Sequence, residues 1–435
     1  MIMAMIRPET EMNDSGIEWI GDIPKEWSVG KVKHEFYATK TIVGDKVNDY
    51  ERLALTLNGV IKRSKDAGDG LQPEKFDGYQ ILKEHELVFK LIDLANVSTS
   101  RVGLSPYTGI VSPAYIVLHH RKDMNPRYGE YYFLSMWMNE VFNHIGGDGV
   151  RSALNAKDLL NIPYLKVSPD EQQAIADYLD ETCSKIDEII AEAKASIDEY
   201  KELKQSVIFE AVTKGLDKNV EFIDSGDEWL GKYPKSYNIG QLSMLSNIVR
   251  GGSPRPAGDP RYYGGNISFM RISDITKDDN IYVISCENTI TEEGLTRTRM
   301  IPPNTLLLTN SGATLGVPKI NTFKTAFNDG IAAFLDLDKR LNIVYVYFFL
   351  KARTSYFLEC ASMGMGQPNL NTDIIGRTKI VFPTLVEQQK IVSYLEDRCG
   401  KLDSLITEKQ SLINDLEAYK KSLIYEVVTG KRRVV

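Results

Sequence analysis

The sequence predicts a mixed α/β protein built as an internal repeat of two similar halves, each with a globule of strands and loops followed by one long helix. Three observations support this prediction. The stretch 171–213 returns as 387–429 without a gap, the lead-in at Asp14 returns at Asp224, and the segments between them show strand patterns. Two similar globules on two similar helices make a pseudo-two-fold dimer within one chain.

The repeated stretches predict two long helices. Residues 171–213 read EQQAIADYLDETCSKIDEIIAEAKASIDEYKELKQSVIFEAVT, and residues 387–429 read EQQKIVSYLEDRCGKLDSLITEKQSLINDLEAYKKSLIYEVVT, at an offset of 216. Neither stretch contains Pro, and Gly400 is their single Gly. Because Leu, Ile, Ala, Glu, Lys and Gln dominate both, each stretch predicts one continuous helix.

Both helices show the apolar seam of a coiled coil. In the first helix the seam is formed by two interleaved seven-residue series, Leu179, Ile186, Ala193 and Tyr200 with Cys183, Ile190 and Ile197, and is expected to slip toward Leu203 and Val207. In the second helix the seam keeps Leu395, Cys399, Leu402, Ile406 and Ile413, includes Lys409, and gains a flanking row of Leu405, Leu412, Tyr419 and Leu423. These stripes are complementary, so we expect the two helices to pack on each other.

Each half opens with a turn-rich lead-in that holds one tryptophan in the same frame. The pattern Asp-Ser-Gly-x-Glu-Trp-x-Gly begins at Asp14 and again at Asp224, an offset of 210. The second lead-in directly follows the first helix. A symmetric frame therefore requires the first lead-in to lie beside the end of the second helix, which predicts that Trp19 lies near residues 427–431.

The segments between lead-in and helix, residues 31–160 and 241–380, differ in sequence but share a plan. Short apolar runs bounded by Gly, Pro, Asn and Asp predict strands, and one longer apolar stretch in each segment predicts a helix. The predicted strands include 86–91, 112–118, 280–285 and 304–308, and the predicted helices cover 128–145 and 343–357. Each segment ends in a Gly-rich exit to a Leu-Asn pair, at Leu154 and Leu370, 17 residues before the Glu that opens the helix.

The composition of the 435 residues, 43% hydrophobic and 26% charged, is that of an ordinary globular protein of about three domains. No apolar run reaches about 18 residues, and the first ten residues lack signal-peptide features, so we expect a cytoplasmic protein with no membrane partner. The cysteines, Cys183, Cys286, Cys360 and Cys399, form no C-x-x-C, and the five histidines are scattered. The sequence therefore predicts no disulfide framework, no metal site and no cofactor.

The net charge of −7 argues at first against a nucleic-acid partner. Residues 171–199, however, hold nine acidic residues against Lys185 and Lys194, a balance of −7 that equals the net charge of the whole chain. The remaining segments are close to neutral and contain local clusters of Arg and Lys. An acidic helix is ordinarily a solvated face, and the functional alternative is a docking surface for another protein subunit.

The order of these motifs resembles that of the specificity subunits of type I restriction-modification systems, over essentially the whole chain. The motifs are the Gly-x-Glu-Trp-x-Gly-x-x-Pro lead-ins at Gly16 and Gly226, the Leu-Asn exits and the Glu-Gln-Gln helix openings. The resemblance implies two α/β target-recognition domains separated by two long antiparallel coiled-coil helices. It also implies double-stranded DNA as a partner, with two methyltransferase (modification) subunits docked on the helices. The resemblance leaves open whether two restriction (nuclease/translocase) subunits are also partners.

This resemblance and the repeat divide the chain into four segments. They are residues 1–160 (lead-in and first target-recognition domain), 161–218 (first conserved helix), 219–378 (second lead-in and second target-recognition domain) and 379–435 (second conserved helix). Two-fold protein symmetry usually matches a two-part DNA site. Because the two globules differ in sequence, we expect two different half-sites and hence an asymmetric recognition sequence.

Candidate DNA contacts are the places where flexible, polar and basic residues cluster. Arg suits guanine, and Asn or Gln suits adenine, in the major groove. The candidates are Lys62, Arg63, Lys65, Asn96, Ser98, Arg101 and Arg151 in the first segment, and Arg250, Ser253, Arg255, Tyr262, Tyr263, Arg271, Asn310, Thr314 and Gln367 in the second. The alternative, that these loops are merely solvated, stays open for each residue.

Catalytic motifs are weak throughout the chain. The run Asn125-Pro126-Arg127-Tyr128 is similar to the Asn-Pro-Pro-Tyr of adenine methyltransferases, but it lacks the second Pro and an upstream Gly-rich cofactor loop. Residues 312–316 lack the Gly-Lys-Ser/Thr ending of a phosphate loop. The sequence therefore predicts a non-catalytic recognition subunit. The alternatives are a specificity subunit of another DNA-modification or defence assembly, or a coiled-coil scaffold; salt-sensitive affinity for duplex DNA would argue against the scaffold.

Overall fold

The computed structural model describes residues 4–65, 75–92, 94, 101–145, 153–312, 314–362 and 369–434. The chain divides into two compact units: Met1–Lys194 with Ser411–Val435, called unit 1, and Ala195–Gln410, called unit 2. Each unit contains one lead-in, one strand-rich segment and parts of both long helices. The four predicted segment boundaries remain a prediction.

The first half of the chain contributes β1–β13 and α1–α5. The strands are β1 Ala4–Ile6, β2 Met12–Asp14, β3 Asp22–Pro24, β4 Ser28–Lys31, β5 Phe36–Ala38, β6 Arg52–Thr56, β7 Gly59–Arg63, β8 Gln80–Leu82, β9 Leu87–Lys90, β10 Arg101–Leu104, β11 Gly109–Val111, β12 Ile116–His120 and β13 Pro163–Lys166. The helices are α1 Val32–Glu35, α2 Pro126–Met138, α3 Val141–His144, α4 Ala156–Leu160 and α5 Pro169–Lys214, with short 3₁₀ turns at Glu9–Glu11 and Gly44–Asp49.

The second half repeats this order. Its strands are β14 Phe222–Asp224, β15 Lys232–Pro234, β16 Asn238–Gln241, β17 Asn247–Arg250, β18 Tyr263–Met270, β19 Tyr282–Val283, β20 Thr289–Ile290, β21 Arg299–Ile301, β22 Leu306–Thr309, β23 Pro318–Asn321, β24 Thr325–Phe327, β25 Ile331–Leu335, β26 Lys379–Phe382 and β27 Arg432–Val434. Its helices are α6 Leu242–Leu245, α7 Ile272–Thr276, α8 Glu292–Leu295, α9 Ile343–Ala352, α10 Thr354–Ser362, α11 Thr372–Arg377 and α12 Leu385–Val428.

The two long helices confirm the prediction from the repeat: α5 has 46 residues and α12 has 44. Within unit 1 they run antiparallel, because Asp187 pairs with Lys420 at 2.7 Å and Lys194, further along α5, pairs with the earlier Glu417 at 3.9 Å. The predicted seam is buried along most of its length. Leu179, Cys183, Ile186, Ile190, Ala193, Ile197, Leu395, Cys399, Leu402 and Ile413 are buried, while Tyr200, Ile406 and Lys409 are half-buried.

The predicted slippage toward Leu203 and Val207 holds only for Val207, which is half-buried and packs against the core of unit 2, whereas Leu203 is 46% exposed and Ile208 is buried. A straight helix drifts by about 20° per heptad relative to a 3.5-residue repeat, so the buried stripe moves toward Ile208, Ala211 and Val212. The flanking row predicted on α12 is also wrong for most of its members. Leu405, Leu412 and Tyr419 are exposed, and Leu423 is buried.

Unit 1 is built on two four-stranded sheets, with strand orders β10-β9-β12-β5 and β7-β6-β11-β8. In the second of these sheets β11 runs parallel to β6 and antiparallel to β8. Unit 2 repeats this topology with β23-β22-β25-β17, to which β19 is added, and with β20-β18-β24-β21. Here β24 runs parallel to β18 and antiparallel to β21. Segments that differ in sequence therefore form the same arrangement of strands.

Several predicted elements have different bounds in the structure. The strand predicted over 112–118 begins only at Ile116, because Tyr115 N–H bonds the carbonyl of Ser112 in a turn. The run 280–285 forms only the two-residue strand β19, and the run 304–308 forms β22, which begins at Leu306. Polar and turn-forming residues at the starts of these runs bond locally before the ladders begin.

Each predicted helix of the globules is two helices. The helix predicted over 128–145 breaks between α2 and α3, where Glu140 adopts a left-handed φ of 57° and the Asn139 side chain bonds the carbonyl of Ser135. The helix predicted over 343–357 breaks at Arg353, between α9 and α10. Side-chain bonds to the preceding turn compete with continuation of a helix.

The Glu-Gln-Gln openings of the long helices clamp the start of the globular helix in each unit. In unit 1, Gln172 Oε1 accepts from the Asn125 N–H at 2.9 Å and Gln173 Oε1 from Asn125 Nδ2 at 2.8 Å. Asn125 in turn caps α2 through its own side chain. The run Asn125-Pro126-Arg127-Tyr128 thus begins a helix, with Pro at the first helical position, where no donor is lost.

Unit 2 contains the same clamp with other residues around it. Gln388 Oε1 accepts from the Asn342 N–H at 2.7 Å, and Gln389 Oε1 accepts from Asn342 Nδ2 at 2.9 Å.

The glutamate of each Glu-Gln-Gln opening accepts a hydrogen bond from an aromatic side chain of the lead-in in the same unit. Trp27 Nε1 donates to Glu171 at 2.8 Å, and the Tyr237 hydroxyl donates to Glu387 at 2.7 Å.

The predicted position of the first lead-in is confirmed within unit 1. The Tyr425 hydroxyl donates to the carbonyl of Ile20, the neighbour of Trp19, at 3.0 Å. Lys431 Nζ donates to the carbonyl of Asp22 at 2.9 Å, and β1 pairs antiparallel with β27. In unit 2, Lys214 Nζ donates to the carbonyl of Leu230 in the second lead-in. No helix in the described part of the chain is long and apolar enough to span a membrane.

Candidate nucleic-acid interface

In unit 2 the turn 328–330 gathers the ends of several strands. Gly251 N–H, just after β17, bonds the carbonyl of Ile331 at 3.3 Å, and Asn328 N–H bonds the carbonyl of Met270, the last residue of β18, at 3.0 Å. Asn310 N–H, just after β22, bonds the carbonyl of Gly330 at 2.9 Å. Candidate residues that lie far apart in sequence are therefore brought together around this turn.

Arg250 and Ser253 are braced by Asp329. Arg250 Nη2 donates to the Asp329 carbonyl at 2.8 Å, and Ser253 Oγ donates to its carboxylate at 2.6 Å. The backbone between them lies against neighbouring strands: a Cβ on Gly251 would meet the Phe327 carbonyl oxygen at 2.2 Å, and one on Gly252 the Arg297 carbonyl oxygen at 2.0 Å. Only glycine fits at these two positions, because the backbone of the loop approaches the neighbouring backbone so closely.

Four candidates, Ser253, Arg255, Tyr263 and Arg271, line one concavity of about 250 Å³, called the Tyr263 concavity. Its lining residues are Ser253, Pro254, Arg255, Ala257, Tyr263, Phe269, Arg271 and Asn328. The Tyr263 hydroxyl is fixed by a 2.7 Å bond to the Pro254 carbonyl, and the Arg271 guanidinium lies 5.9 Å from the Tyr263 ring centroid. The side chains of Arg255 and Arg271 are exposed. This concavity thus combines two cationic donors with an aromatic wall.

A second concavity, of about 600 Å³ and called the Thr298 concavity, borders the same 250–252 backbone. Its lining residues are Ile248, Val249, Arg250, Gly251, Gly252, Thr296, Arg297, Thr298, Arg299 and Thr372. Arg297 and Arg299 are exposed. Sequence reasoning missed these two arginines and Asn328, since it searched glycine-rich loops. The alternating Thr296-Arg297-Thr298-Arg299 run is the signal that could have pointed to the two arginines.

The remaining candidates of unit 2 differ in accessibility. Tyr262 is buried, with 6% of its surface exposed, and Thr314 is exposed. Asn310 is fully buried, and among the described residues neither its Oδ1 nor its Nδ2 has a hydrogen-bond partner. Asn328 Oδ1 is likewise buried and unpartnered in the described part of the chain. Unsatisfied buried amides are rare in folded proteins, so these two asparagines are unusual features of the region around the turn 328–330.

In unit 1 the basic candidates Lys62, Arg63 and Lys65 lie on and just after β7. They line a concavity of about 450 Å³ together with Asn48, Asp49, Tyr50, Glu51, Arg52 and Ser64. Lys62 Nζ bonds Glu51 at 2.7 Å, and this hydrogen bond raises the pKa of Lys62. Lys65 Nζ donates to the Val47 carbonyl at 2.6 Å.

Arg101 lines a different cavity of unit 1, of about 870 Å³, beside residues of α2 and α5. Its guanidinium lies 4.9 Å from the Trp137 ring centroid, and burial lowers the pKa of Arg101. The structure therefore brings Lys62, Arg63 and Lys65 together and places Arg101 at another cavity. The candidates Asn96, Ser98, Arg151 and Gln367 lie outside the described residues.

The described residues contain no group of three or more His, Cys, Asp or Glu side chains arranged to hold a metal ion. Burial raises the pKa of the seam thiols Cys183 and Cys399 to about 11, which keeps them protonated at neutral pH. Several acidic residues of α5 bond to neighbouring elements of unit 1 and so stabilise the fold. Glu171 bonds Arg7 at 2.8 Å and Asp180 accepts from the Tyr131 hydroxyl at 2.7 Å.

Comparison with known proteins agrees with this architecture. Residues 234–417 match the family model described as the type I restriction modification DNA specificity domain. The specificity subunit of the type I restriction enzyme MjaIX of Methanocaldococcus jannaschii is 29% identical over 191 residues, 43% of each chain. The specificity subunit of the putative type I restriction enzyme MjaX from the same organism is 21% identical over 95% of this chain and 96% of its own.

Solved structures share the fold along the whole chain. A chain from a study of complex assembly and conformational transition of the type I R-M system has a TM-score of 0.71 at 13% identity, covering 94% of this chain and 99% of its own. The HsdS subunit of Thermoanaerobacter tengcongensis has a TM-score of 0.51 at 13% identity, covering 94% and 98%. The repeated motifs, the fold and these sequence matches are all similar to those of type I restriction-modification specificity subunits.

Proposed function

We propose that this chain reads a bipartite, asymmetric DNA sequence for a type I restriction-modification complex and docks the methyltransferase subunits of that complex. The observation that carries the proposal is a frame repeated in both units with different loops on it. The strand orders and the Gln-Asn clamps are the same in the two units. The basic loops differ, with Lys62, Arg63 and Lys65 in one unit and Arg250, Arg255 and Arg271 in the other.

A repeated frame with divergent loops is what recognition of two unlike half-sites requires. The frame fixes the orientation of each globule, and loop side chains carry the sequence preference, since base contacts specify while other contacts position. In this proposal the loops of residues 1–160 read one half-site and those of 219–378 read the other. Residues 161–218 and 379–435 form the docking platform.

The partners in this proposal are double-stranded DNA and two methyltransferase subunits, with two restriction subunits as a further addition. The chain itself performs no chemistry and brings no cofactor. Each partner subunit supplies the methyl donor and the catalytic groups. The acidic face of α5, where Glu188 and Glu199 are exposed, is the surface we assign to the protein partners.

Two measurements test the proposal. Mapping methylated adenines in a host genome with and without the gene for this chain should reveal one two-part asymmetric motif that depends on it. Binding of the purified chain with its partner subunits to a duplex bearing that motif should weaken steeply with salt, since each phosphate contact releases counterions. The chain alone should show no methylation, cleavage or ATP turnover. Unchanged methylation in the deletion strain, or activity of the chain alone, would contradict the proposal.

A further inference from the structure

In unit 2 two concavities border the segment 250–255, and arginines line both. The Tyr263 concavity holds Arg255 and Arg271, and the Thr298 concavity holds Arg250, Arg297 and Arg299. Among the described residues no carboxylate lines either concavity. This is a local concentration of positive charge in a chain whose net charge is −7. Such a concentration is the electrostatic footprint expected of a nucleic-acid contact.

We propose that the two concavities divide the work of DNA recognition: Arg297 and Arg299 hold phosphates of the backbone, and Arg255 and Arg271, with Asn328, contact one base-pair edge that contains a guanine. This inference rests on the proposed function and assigns roles within unit 2. The half-site that unit 2 reads then includes at least one G·C pair.

The charged groups that line the Thr298 concavity are all hydrogen-bond donors. The hydroxyls of Thr296 and Thr298 already donate to the carbonyls of Glu293 and Phe327 at 2.7 and 2.5 Å. The exposed guanidiniums of Arg297 and Arg299 have no ion pair in the described part of the chain, so they are the donors left for a ligand. A guanidinium donates and never accepts, and a phosphate oxygen only accepts. This concavity therefore suits the DNA backbone.

The Tyr263 concavity is chemically mixed. Its walls include the rings of Tyr263 and Phe269, and its polar groups include two guanidiniums and the half-buried amide of Asn328. Base-pair edges in the major groove present apolar groups, such as the thymine methyl, beside hydrogen-bonding groups, whereas a phosphate presents acceptors alone, so an aromatic wall beside guanidiniums suits base pairs. Guanine O6 and N7 are the acceptors that an arginine pairs with best in the major groove.

The test uses the full chain with its methyltransferase partners and duplexes that carry the motif found by methylation mapping. Binding is measured by fluorescence anisotropy over a range of salt, with the intact motif and with each base pair of the unit 2 half-site replaced in turn. The variants are the pair R297A/R299A, the single changes R255A, R271A and N328A, and the control R340A. Arg340 is an exposed arginine of unit 2 that bonds Asp338 at 2.8 Å.

The R297A/R299A pair should weaken binding to all duplexes alike and flatten the salt slope by about two, since each lost phosphate contact removes about 0.9. R255A and R271A should weaken binding to the intact motif about 5- to 150-fold, the range for one good arginine-guanine pair. On the duplex in which the contacted G·C pair is already replaced, R255A and R271A should bind as tightly as the unmodified complex does. Replacing that guanine by 7-deazaguanine, which lacks N7, should mimic R255A or R271A. R340A should match the unmodified complex.

Two outcomes would overturn the assignment. One is a change in sequence preference with R297A/R299A, and the other is a uniform loss across all duplexes with R255A and R271A. If every variant binds like the unmodified complex while that complex keeps its salt-sensitive preference for the motif, the division of labour is wrong and the proposed function stands. If the unmodified complex shows no preference for any motif, the proposed function itself fails. Melting temperatures of all variants report whether each is folded.

Discussion

At the residue scale, the buried glutamine of each Glu-Gln-Gln opening joins a long helix to a globule. Gln388 is fully buried, donates to the Arg340 carbonyl at 2.7 Å and to the Pro383 carbonyl at 2.9 Å, and accepts from the Asn342 N–H. Gln388→Ala leaves these groups without partners, so we expect unit 2 to lose about 1–3 kcal/mol of stability. Calorimetry and hydrogen exchange at the first amides of α9 would measure the loss.

The neighbouring Gln389 is the matched control for this prediction. It accepts from Asn342 Nδ2 but is exposed, so water can replace it. Gln389→Ala should change stability by under about 0.5 kcal/mol, as surface substitutions usually do. Equal losses for the two variants would show that burial of the Gln388 amide has no special role in the frame.

A second residue-scale prediction concerns pH and the His119–Glu86 pair of unit 1. His119 Nδ1 lies 2.6 Å from Glu86 Oε1, and this bond raises the pKa of His119 above its ordinary 6.5. Burial alone would raise the pKa of Glu86, yet the hydrogen bonds from His119 and from the Lys83 N–H together outweigh burial, and the pKa falls below its ordinary 4.5. The pair therefore stabilises unit 1 fully between these two ordinary values. Its contribution is lost as pH rises through the raised pKa of His119, and also as pH falls through the lowered pKa of Glu86.

His119→Gln should thus lower the melting temperature of unit 1 more at pH 6 than at pH 9. His120→Gln is the control, because the partner of the His120 ring is not a carboxylate but the uncharged backbone carbonyl of Arg121, at 3.2 Å. Thermal unfolding at the two pH values, followed for both variants, measures the difference. A melting-temperature loss for His119→Gln that is the same at pH 6 and pH 9 would contradict the prediction.

At the element scale, the seam of α5 can be tested where the structure departs from the heptad pattern. Ile208 is 1% exposed, and Leu203, toward which the seam was expected to slip, is 46% exposed. Ile208→Ala should destabilise unit 2 by about 2–5 kcal/mol, the usual loss for a buried aliphatic side chain. Leu203→Ala should cost under about 0.5 kcal/mol. Chemical unfolding of the two variants measures both losses. A larger loss of stability for Leu203→Ala than for Ile208→Ala would show that Leu203, and not Ile208, belongs to the buried stripe.

The helices show which features of secondary structure can be predicted from the sequence. Repetition fixed the long helices to within two residues at each end, because a helix without Pro has few alternatives. The breaks at Glu140 and Arg353 escaped prediction, since they depend on local side-chain bonds and on tertiary packing. Arg353 lies 4.5 Å from the Trp229 ring centroid, a contact between residues 124 positions apart that no local pattern contains.

Only part of the candidate site could be predicted from the sequence, and the reason is physical. Composition locates basic loops such as 250–255, but side chains are assembled by strand pairing that joins distant segments. Asn328 and Arg297 meet the 250–255 segment only because such pairing brings segments distant in sequence together. Conversely, Tyr262 matches the pattern of an exposed aromatic and is buried in the structure.

At the scale of the whole molecule, the helices are predicted to set the gap between the two half-sites. Adding one heptad after Glu192 and one after Glu408 keeps both seams in phase and lengthens each helix by about 10 Å, at 1.5 Å per residue. We expect either a gap about three base pairs longer between unchanged half-sites, or loss of tight binding because the grooves rotate over that distance. Methylation mapping with the lengthened chain gives the answer. Recognition of the original site at undiminished strength would show that the helices do not set the gap.

The pairing of β1 with β27 in unit 1 also determines how the chain responds to force. Ala4 pairs with Val434 and Ile6 with Arg432 in an antiparallel register, so the two outermost residues face each other. A pull on both ends loads one pair after another, as in opening a zipper, and no pair shares the load with the next. The ends should therefore peel away at low force, and the tension then passes to the 2.9 Å bond from the Arg7 N–H to the Lys431 carbonyl.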